Sequence, residues 1–386
     1  MNLDLSPAEI AFRDEARAWL AAHVPAETLP SMDTADGFAA HQAWERKLSD
    51  ARWSVVSWPA EFGGRDASLI EWVIFEEEYY RAGAPGRVSQ NGIFLLAPII
   101  FDHGTADQQQ RWLPSMATGE TIWAQAWSEP EAGSDLASLR STATRTDGGW
   151  LLNGQKTWSS RASYAHRGFG LFRSDPESAR HHGLTYFCFD LHADGLTVRP
   201  IAQLDGEAGF AELFFDDVFV PDADVLGGVG DGWRVAMSTA GNERGLSLRS
   251  PGRFCAAADR LVDLYSEKPN PALGNDVVDA WLRAEAYRLY TWNTVTTLAD
   301  GGDVGANGSV NKVWWSELDV ALHDTALNLL EAEGEVESAW TDGYLFSLSG
   351  PIYAGTNEIQ RNIIAERILG LPREVRASEP KGGGGK

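Results

Sequence analysis

The stretch Ile352-Tyr353-Ala354-Gly355-Thr356-Asn357-Glu358-Ile359-Gln360-Arg361-Asn362-Ile363-Ile364-Ala365-Glu366-Arg367 is the most informative part of this chain. A Gly-Thr turn opens a segment in which Ile359, Ile363, Ile364, Ile368 and Leu371 recur at helical spacing, so one face is apolar. Thr356 suits the N-cap, where its hydroxyl accepts from a backbone N–H that the first turn leaves without a partner. Backbone N–H groups at such a start also favour an anionic ligand such as a phosphate. Taken alone, the pattern describes many capped amphipathic helices that bind nothing.

The rest of the chain divides by periodicity. Residues 6 to 120 read as helical: Ser6 caps a helix through Glu9, Ile10, Phe12, Ala16 and Leu20, and further helices run through Phe38–Ala51, Ile70–Tyr80 and Gln108–Met116. Between 121 and 225 the runs shorten to Thr121–Trp127, Ser141–Arg145, Gly149–Leu152, Thr185–Phe189, Leu196–Pro200 and Ala211–Val218. Aromatic, Val and Thr residues recur there between Gly, Asp and Asn turns, which predicts an all-β unit. Helical spacing returns in Gly232–Leu248, Cys255–Tyr265, Asp276–Leu298, Asn307–Leu330 and Glu358–Leu369, with Asp300-Gly301-Gly302-Asp303 breaking one pair.

Segregated helices, strands and helices predict an α+β protein rather than alternating βαβ units. The expected divisions are 1–120, 121–228 and 229–375, followed by a polar, glycine-rich tail, 376–386, expected to be disordered. Gly227 to Gly232 is glycine-rich but does not follow a strand as GxGxxG, so a Rossmann dinucleotide site is not supported.

Composition narrows the function classes. A formal net charge of −23, with no Lys/Arg-rich block, argues against a nucleic-acid-binding surface. The two cysteines, Cys188 and Cys255, form no CxxC, so neither a zinc site nor a disulfide framework is expected, in keeping with a reducing cytoplasm. The apolar run Ile93 to Phe101 is too short to span a membrane. The 16 Trp suggest aromatic-rich packing.

Two further segments carry polar groups on turns. Trp127-Ser128-Glu129-Pro130-Glu131-Ala132-Gly133-Ser134-Asp135-Leu136 offers hydroxyls and a flexible Gly133, and reads equally as an ordinary β-loop. Asn153-Gly154-Gln155-Lys156-Thr157-Trp158-Ser159-Ser160 contains a turn signal, Asn153-Gly154, between Trp150-Leu151-Leu152 and a new strand; it reads equally as a hairpin with Trp158 in the core.

In their order and spacing, these three segments resemble the acyl-CoA dehydrogenase family. So do Trp58-Pro59-Ala60-Glu61-Phe62-Gly63-Gly64, His103-Gly104-Thr105 with Leu113-Pro114, and Phe214-Phe215-Asp216-Asp217-Val218-Phe219-Val220-Pro221. The resemblance covers residues 5 to 374. It implies an N-terminal α-helical domain, a central β-barrel or sandwich and a C-terminal four-helix bundle, with FAD between the β domain and the bundle. It places Trp127, Ser128, Trp158, Ser160, Gly355, Thr356 and Glu358 at cofactor contacts, and Ser134 near the pyrophosphate or CoA.

The implied reaction is α,β-dehydrogenation of an acyl-CoA thioester, which needs a base for the α proton, a hydride acceptor and donors to the thioester carbonyl. In the family one donor is a backbone N–H near position 354, and many members place a catalytic glutamate there. This chain has Ala354. Some members carry the glutamate on an earlier helix, where this chain has Glu243 in Gly241-Asn242-Glu243-Arg244-Gly245. The resemblance therefore makes Glu243 the expected base and Arg244 a substrate contact, although a Glu-Arg pair on a helix alone reads as a solvated face.

Two departures concern assembly. No Arg occurs around Pro269 to Asp276, and the later turn, Asn328 to Gly334, carries Glu331 where the family contacts a neighbouring subunit's FAD. A carboxylate there repels a pyrophosphate. These features resemble the heterotetrameric bacterial acyl-CoA dehydrogenases of steroid side-chain catabolism, and imply a related second subunit and an electron-transfer flavoprotein as partners. The competing expectations are an acyl-CoA oxidase and a non-catalytic partner subunit.

Overall fold

The computed structural model describes residues 3–244, 250–302 and 304–373, with backbone alone for 239–244. The expected disordered tail, 376–386, lies outside the described residues. Five α-helices come first: α1 (Pro7–His23), α2 (Ala35–Asp50), α3 (Leu69–Arg81), α4 (Ala97–His103) and α5 (Ala106–Ala117). Their starts are written locally. Ser6, Ser68 and Thr105 each receive the N–H of the third helical residue, and Glu9, Glu71 and Gln108 answer the cap's own N–H. A π-helical turn, Asn91–Leu96, leads into α4, so the buried run from Ile93 to Ile100 is helical.

Eight strands follow: β1 (Trp123–Ala126), β2 (Thr142–Thr146), β3 (Gly149–Ser160), β4 (Arg167–Arg173), β5 (Leu184–Asp190), β6 (Leu196–Ile201), β7 (Phe210–Pro221) and β8 (Val225–Leu226). They form one sheet in the order β6-β7-β3-β2-β4-β5-β8, with β1 parallel to β4. The β2–β4 junction is a single pair, Thr142 with Arg173. The sheet therefore hinges there, and aromatic residues from both halves, including Trp150, Phe172, Phe187 and Phe215, share one core.

Two expectations need correction. Asn153-Gly154 is not a turn between strands. β3 runs unbroken through it, with a register shift between Leu152 and Gly154, and the hairpin turn lies at Asp147-Gly148. A Cβ on Gly154 would come within 2.3 Å of Ser141 Oγ, so the glycine serves a bulge and a close strand approach. Strand β4 was not anticipated. Glycine is depleted in strands, which hides the segment, and a Cβ on Gly168 would strike the Phe189 ring at 2.3 Å. The strand is buried on both faces, which removes the alternating pattern.

The remaining helices are α6 (Gly232–Arg244), α7 (Pro251–Glu267), α8 (Gly274–Ala299), α9 (Asn307–Leu330), α10 (Ala339–Ser347) and α11 (Asn357–Ile363), the last continuing as a π-helical turn, Ile364–Ile368. Phe254, Leu261, Tyr287, Trp315 and Leu322 form the core of α7, α8 and α9. The first helices dock on this bundle through α3. Trp292 and Val295 of α8 enter the core of α1 to α3, and Trp292 Nε1 donates to Glu77 at 2.8 Å. α6 lies between the sheet and the bundle, touching β5, α4 and α9. As the composition suggested, most tryptophans are packing residues: Trp44, Trp53, Trp72, Trp112, Trp123 and Trp315 are all buried. No described helix is long and apolar enough to cross a membrane.

Candidate functional site

The loop after β1 is tied to β3 by charge. Lys156 is fully buried, and its Nζ sits 2.8 Å from Glu129 Oε1 and donates to the Leu171 carbonyl at 2.8 Å. Glu129 also accepts from the N–H groups of Arg140 at 2.6 Å and Ser141 at 3.0 Å. Burial by itself would raise the Glu129 carboxyl, but Lys156 and the two backbone donors outweigh it and hold the group below the usual carboxylate range. Burial lowers Lys156, against the attraction of Glu129. The pair stays charged because every donor nearby favours the carboxylate. Thr157 N–H closes the loop onto the Ser128 carbonyl at 2.8 Å. Neither Lys156 nor Glu129 was singled out from the sequence. Lys156 stands among polar neighbours in β3, Gln155 and Thr157, so no local signal marked it; only its burial requires the charge to be paired.

This tie presents the expected cofactor residues along one edge. Trp158 is not a core residue as the hairpin reading had it: it is 58% exposed. Its φ of 59° lies in the left-handed region, beside a second register shift in β3 between Lys156 and Ser159. A bulky residue held there is strained, and such strain collects at functional sites. Its ring meets Phe210 edge-on at 5.9 Å. Trp127 is half-buried, and its Nε1 is buried without a hydrogen-bond partner among the described residues. Ser128 and Ser160 are half-buried, while Ser134 is exposed at the tip of the loop. An exposed ring face, an orphaned indole donor and two hydroxyls fit a flat heteroaromatic ligand with acceptors on its edge, which is the chemistry of a flavin.

The opening stretch forms its own constellation. Thr356 caps α11, accepting from the Ile359 N–H at 3.3 Å. Asn357 is buried, and its Oδ1 accepts from Lys312 Nζ at 2.8 Å and Ser316 Oγ at 3.1 Å, fastening α11 to α9. The backbone N–H of Glu358 itself and the Thr356 hydroxyl hold the exposed Glu358 carboxyl below its ordinary range. Ala354 and Gly355 precede the cap with φ of 57° and 80°. Glu243 and Arg244 are the last residues of α6, and their side chains lie outside the described residues. Glu331 ends α9 with a φ of 53° and is exposed. Lys268 pairs instead with Glu333, at 2.6 Å.

A cleft of about 620 Å³ opens elsewhere, between α5 and the Asp222–Val229 segment. None of the candidate residues lines it, and its Arg145 is already paired with Asp222. Among the described residues, no group of three or more His, Cys, Asp or Glu side chains is placed to hold a metal.

Comparison with known proteins identifies three domains in succession. Residues 6–120 match the acyl-CoA dehydrogenase N-terminal domain, 124–218 the middle domain and 230–369 the C-terminal domain. The acyl-CoA dehydrogenase IpdE1 of Mycolicibacterium smegmatis is 38% identical over 95% of this chain and 98% of its own length. The ChsE4-ChsE5 complex of Mycobacterium tuberculosis superposes with a TM-score of 0.84 and 26% identity, over 97% of this chain and 100% of the matched one. The Tcur3481-Tcur3483 steroid ACAD shares the fold, with a TM-score of 0.85 and 24% identity over 97% of this chain and 100% of the matched one. With all three domain types in sequence and a relative matched from end to end, this chain belongs to the acyl-CoA dehydrogenase family.

Proposed function

We propose that the chain converts a branched or polycyclic, steroid-like acyl-CoA to its 2-enoyl-CoA with FAD, using Glu243 as base, within a hetero-oligomer that contains a related second subunit. The observation that carries this reading is Ala354. The position before the Gly-Thr turn has no ionisable side chain, yet the Trp127–Ser134 loop, Trp158, Ser160 and Thr356 retain a cofactor cradle. FAD, when bound, supplies the acceptor for the hydride leaving Cβ.

The chain's own residues do the rest. Trp158 offers a ring face to a flat group, Trp127 Nε1 and the Ser128 and Ser160 hydroxyls offer hydrogen bonds at its edge, and Glu129–Lys156 keeps that edge in place. Gly355 and Thr356 shape the approach to the cofactor, with Glu358 beside it. Ser134 and Arg244 are assigned to binding the CoA ester. Glu243 removes the α proton. An alanine at 354 and glycines at 241 and 245 leave room for a bulky acyl group.

A second subunit is favoured by Glu331, a carboxylate where a neighbour's pyrophosphate would lie, and by the two-component name of the ChsE4-ChsE5 complex. An electron-transfer flavoprotein would reoxidise the cofactor, and two thiols without a CxxC suit a reducing cytoplasm.

The test is to purify the tagged chain from its native cell, identify co-purifying chains, measure flavin and assay straight, 2-methyl-branched and steroid-ring acyl-CoAs. A related chain should co-purify, and branched or ring substrates should turn over fastest. Glu243→Gln should keep FAD and lose turnover. A stable homotetramer with one FAD per subunit would refute the hetero-oligomer, and near-normal turnover by Glu243→Gln would refute the base. Stoichiometric hydrogen peroxide under air, with no transfer to an electron-transfer flavoprotein, would identify an oxidase instead.

A further inference from the structure

The turn before α11 is braced from behind by one side chain. Ala354 and Gly355 are consecutive left-handed residues. Gln360, with no exposed surface, reaches back from α11, and its Nε2 donates to the Ala354 carbonyl at 2.9 Å and to the Gly355 carbonyl at 3.3 Å. Because both neighbours are acceptors, the amide orientation is fixed by its surroundings. The other atom, Oε1, is buried with no hydrogen-bond partner among the described residues.

This arrangement is not explained by filling space. A methionine or leucine would occupy a similar volume without burying an orphaned acceptor, which carries a desolvation penalty. The glutamine therefore serves the two donations. Its effect is directional. With both carbonyls drawn inward, the N–H groups of Ala354 and Gly355 find no acceptor among the described residues. Successive N–H groups in such a turn make a concavity for partial negative charge.

Resting on the dehydrogenase reading above, we propose that Gln360 is a positioning residue. It holds the 354–355 peptides so that their N–H groups meet the thioester carbonyl oxygen of the acyl-CoA. When the α C–H bond breaks and its proton passes to the base, the electron pair spreads onto that oxygen, and donors already aimed at it lower the barrier. These donors belong to the backbone, so they survive an alanine at 354.

The test uses the flavin-loaded enzyme with whatever subunit it carries. The probe is the acyl-CoA turned over fastest in the panel above, ¹³C-labelled at the thioester carbonyl. Gln360→Met should retain FAD content and fold with at most a small loss of melting temperature, since it removes one orphaned acceptor but leaves two carbonyls without their donor, while kcat falls on the order of 10²-fold, the penalty of a misplaced donor. The carbonyl stretch of the bound probe should return toward its frequency in solution. Gln360→Asn, one methylene too short to reach both carbonyls, should behave alike.

Native kcat and an unmoved carbonyl band in both variants would overturn the proposal and leave the dehydrogenase reading intact. Loss of FAD and of melting temperature in both would make Gln360 a structural brace and also overturn it. A wild-type enzyme that turns over no acyl-CoA would instead refute the underlying reading, and this inference with it.

Discussion

Replacing Lys156 by Met should uncouple the cofactor edge from the sheet. The ammonium lies in a fully buried position of β3, 2.8 Å from Glu129. Removing one partner of a buried pair costs about 3–5 kcal/mol, because the remaining charge is stranded. Glu129 would keep its two backbone donors from Arg140 and Ser141, which favours the lower end, about 3 kcal/mol. With an unfolding entropy of about 2.1 cal/mol/K per residue, a chain of 386 residues melting as one unit would lose roughly 4 °C.

Glu129→Gln should cost about 1–3 kcal/mol by weakening the same bonds. The double variant should lose less than the sum, with a coupling of about 1–3 kcal/mol. Calorimetry of the four proteins at neutral pH measures the cycle, and flavin titration should show weaker FAD retention in each single variant. Costs that simply add, within about 0.3 kcal/mol, would refute the reasoning. So would a Lys156→Met protein that melts with the wild type and keeps its flavin.

Three further outcomes follow from single residues. Glu129 is held below its ordinary range in the folded protein, so its contribution is present above about pH 4.3 and lost as pH falls through the folded value; acid unfolding of Glu129→Gln should show a flatter limb in that window. Trp158→Gly releases a left-handed φ and gives up a mostly exposed side chain, so its stability should stay within about 1 kcal/mol of wild type while FAD affinity falls, as read by melting and flavin titration. Thr356→Ala removes the N-cap acceptor of α11 and should cost about 1 kcal/mol in chemical denaturation, with Thr356→Ser close to wild type.

The legibility of the fold followed the range of the forces involved. The start at Ser6 was readable because a cap is written within four residues, and the same local signal stands at Ser68 and Thr105. β4 was hidden because Gly168 and Gly170 answer to atoms on other strands, Phe189 and Ala126. Asn153-Gly154 carried a local turn signal that strand pairing overrode, since β7 pairs with β3 on both sides of the bulge. Helix α10 went unread because its start, Ser338, sits among acidic residues and its apolar face is short.

The sequence by itself determined the succession of helical, strand-rich and helical regions and the family, because these depend on local chemistry and on residue strings. It also exposed the absence of a carboxylate at 354. Only the tertiary structure decided that Trp158 faces outward on a strained backbone, that Lys156 and Glu129 form a buried tie, and that Gln360 turns the 354–355 carbonyls inward. Each of these depends on a contact whose partner lies elsewhere in the fold: a strand register, a low-dielectric interior that forces charges to pair, and a buried amide that must find acceptors. For the opening stretch, the sequence named a capped helix, and the fold braced its preceding turn through Gln360.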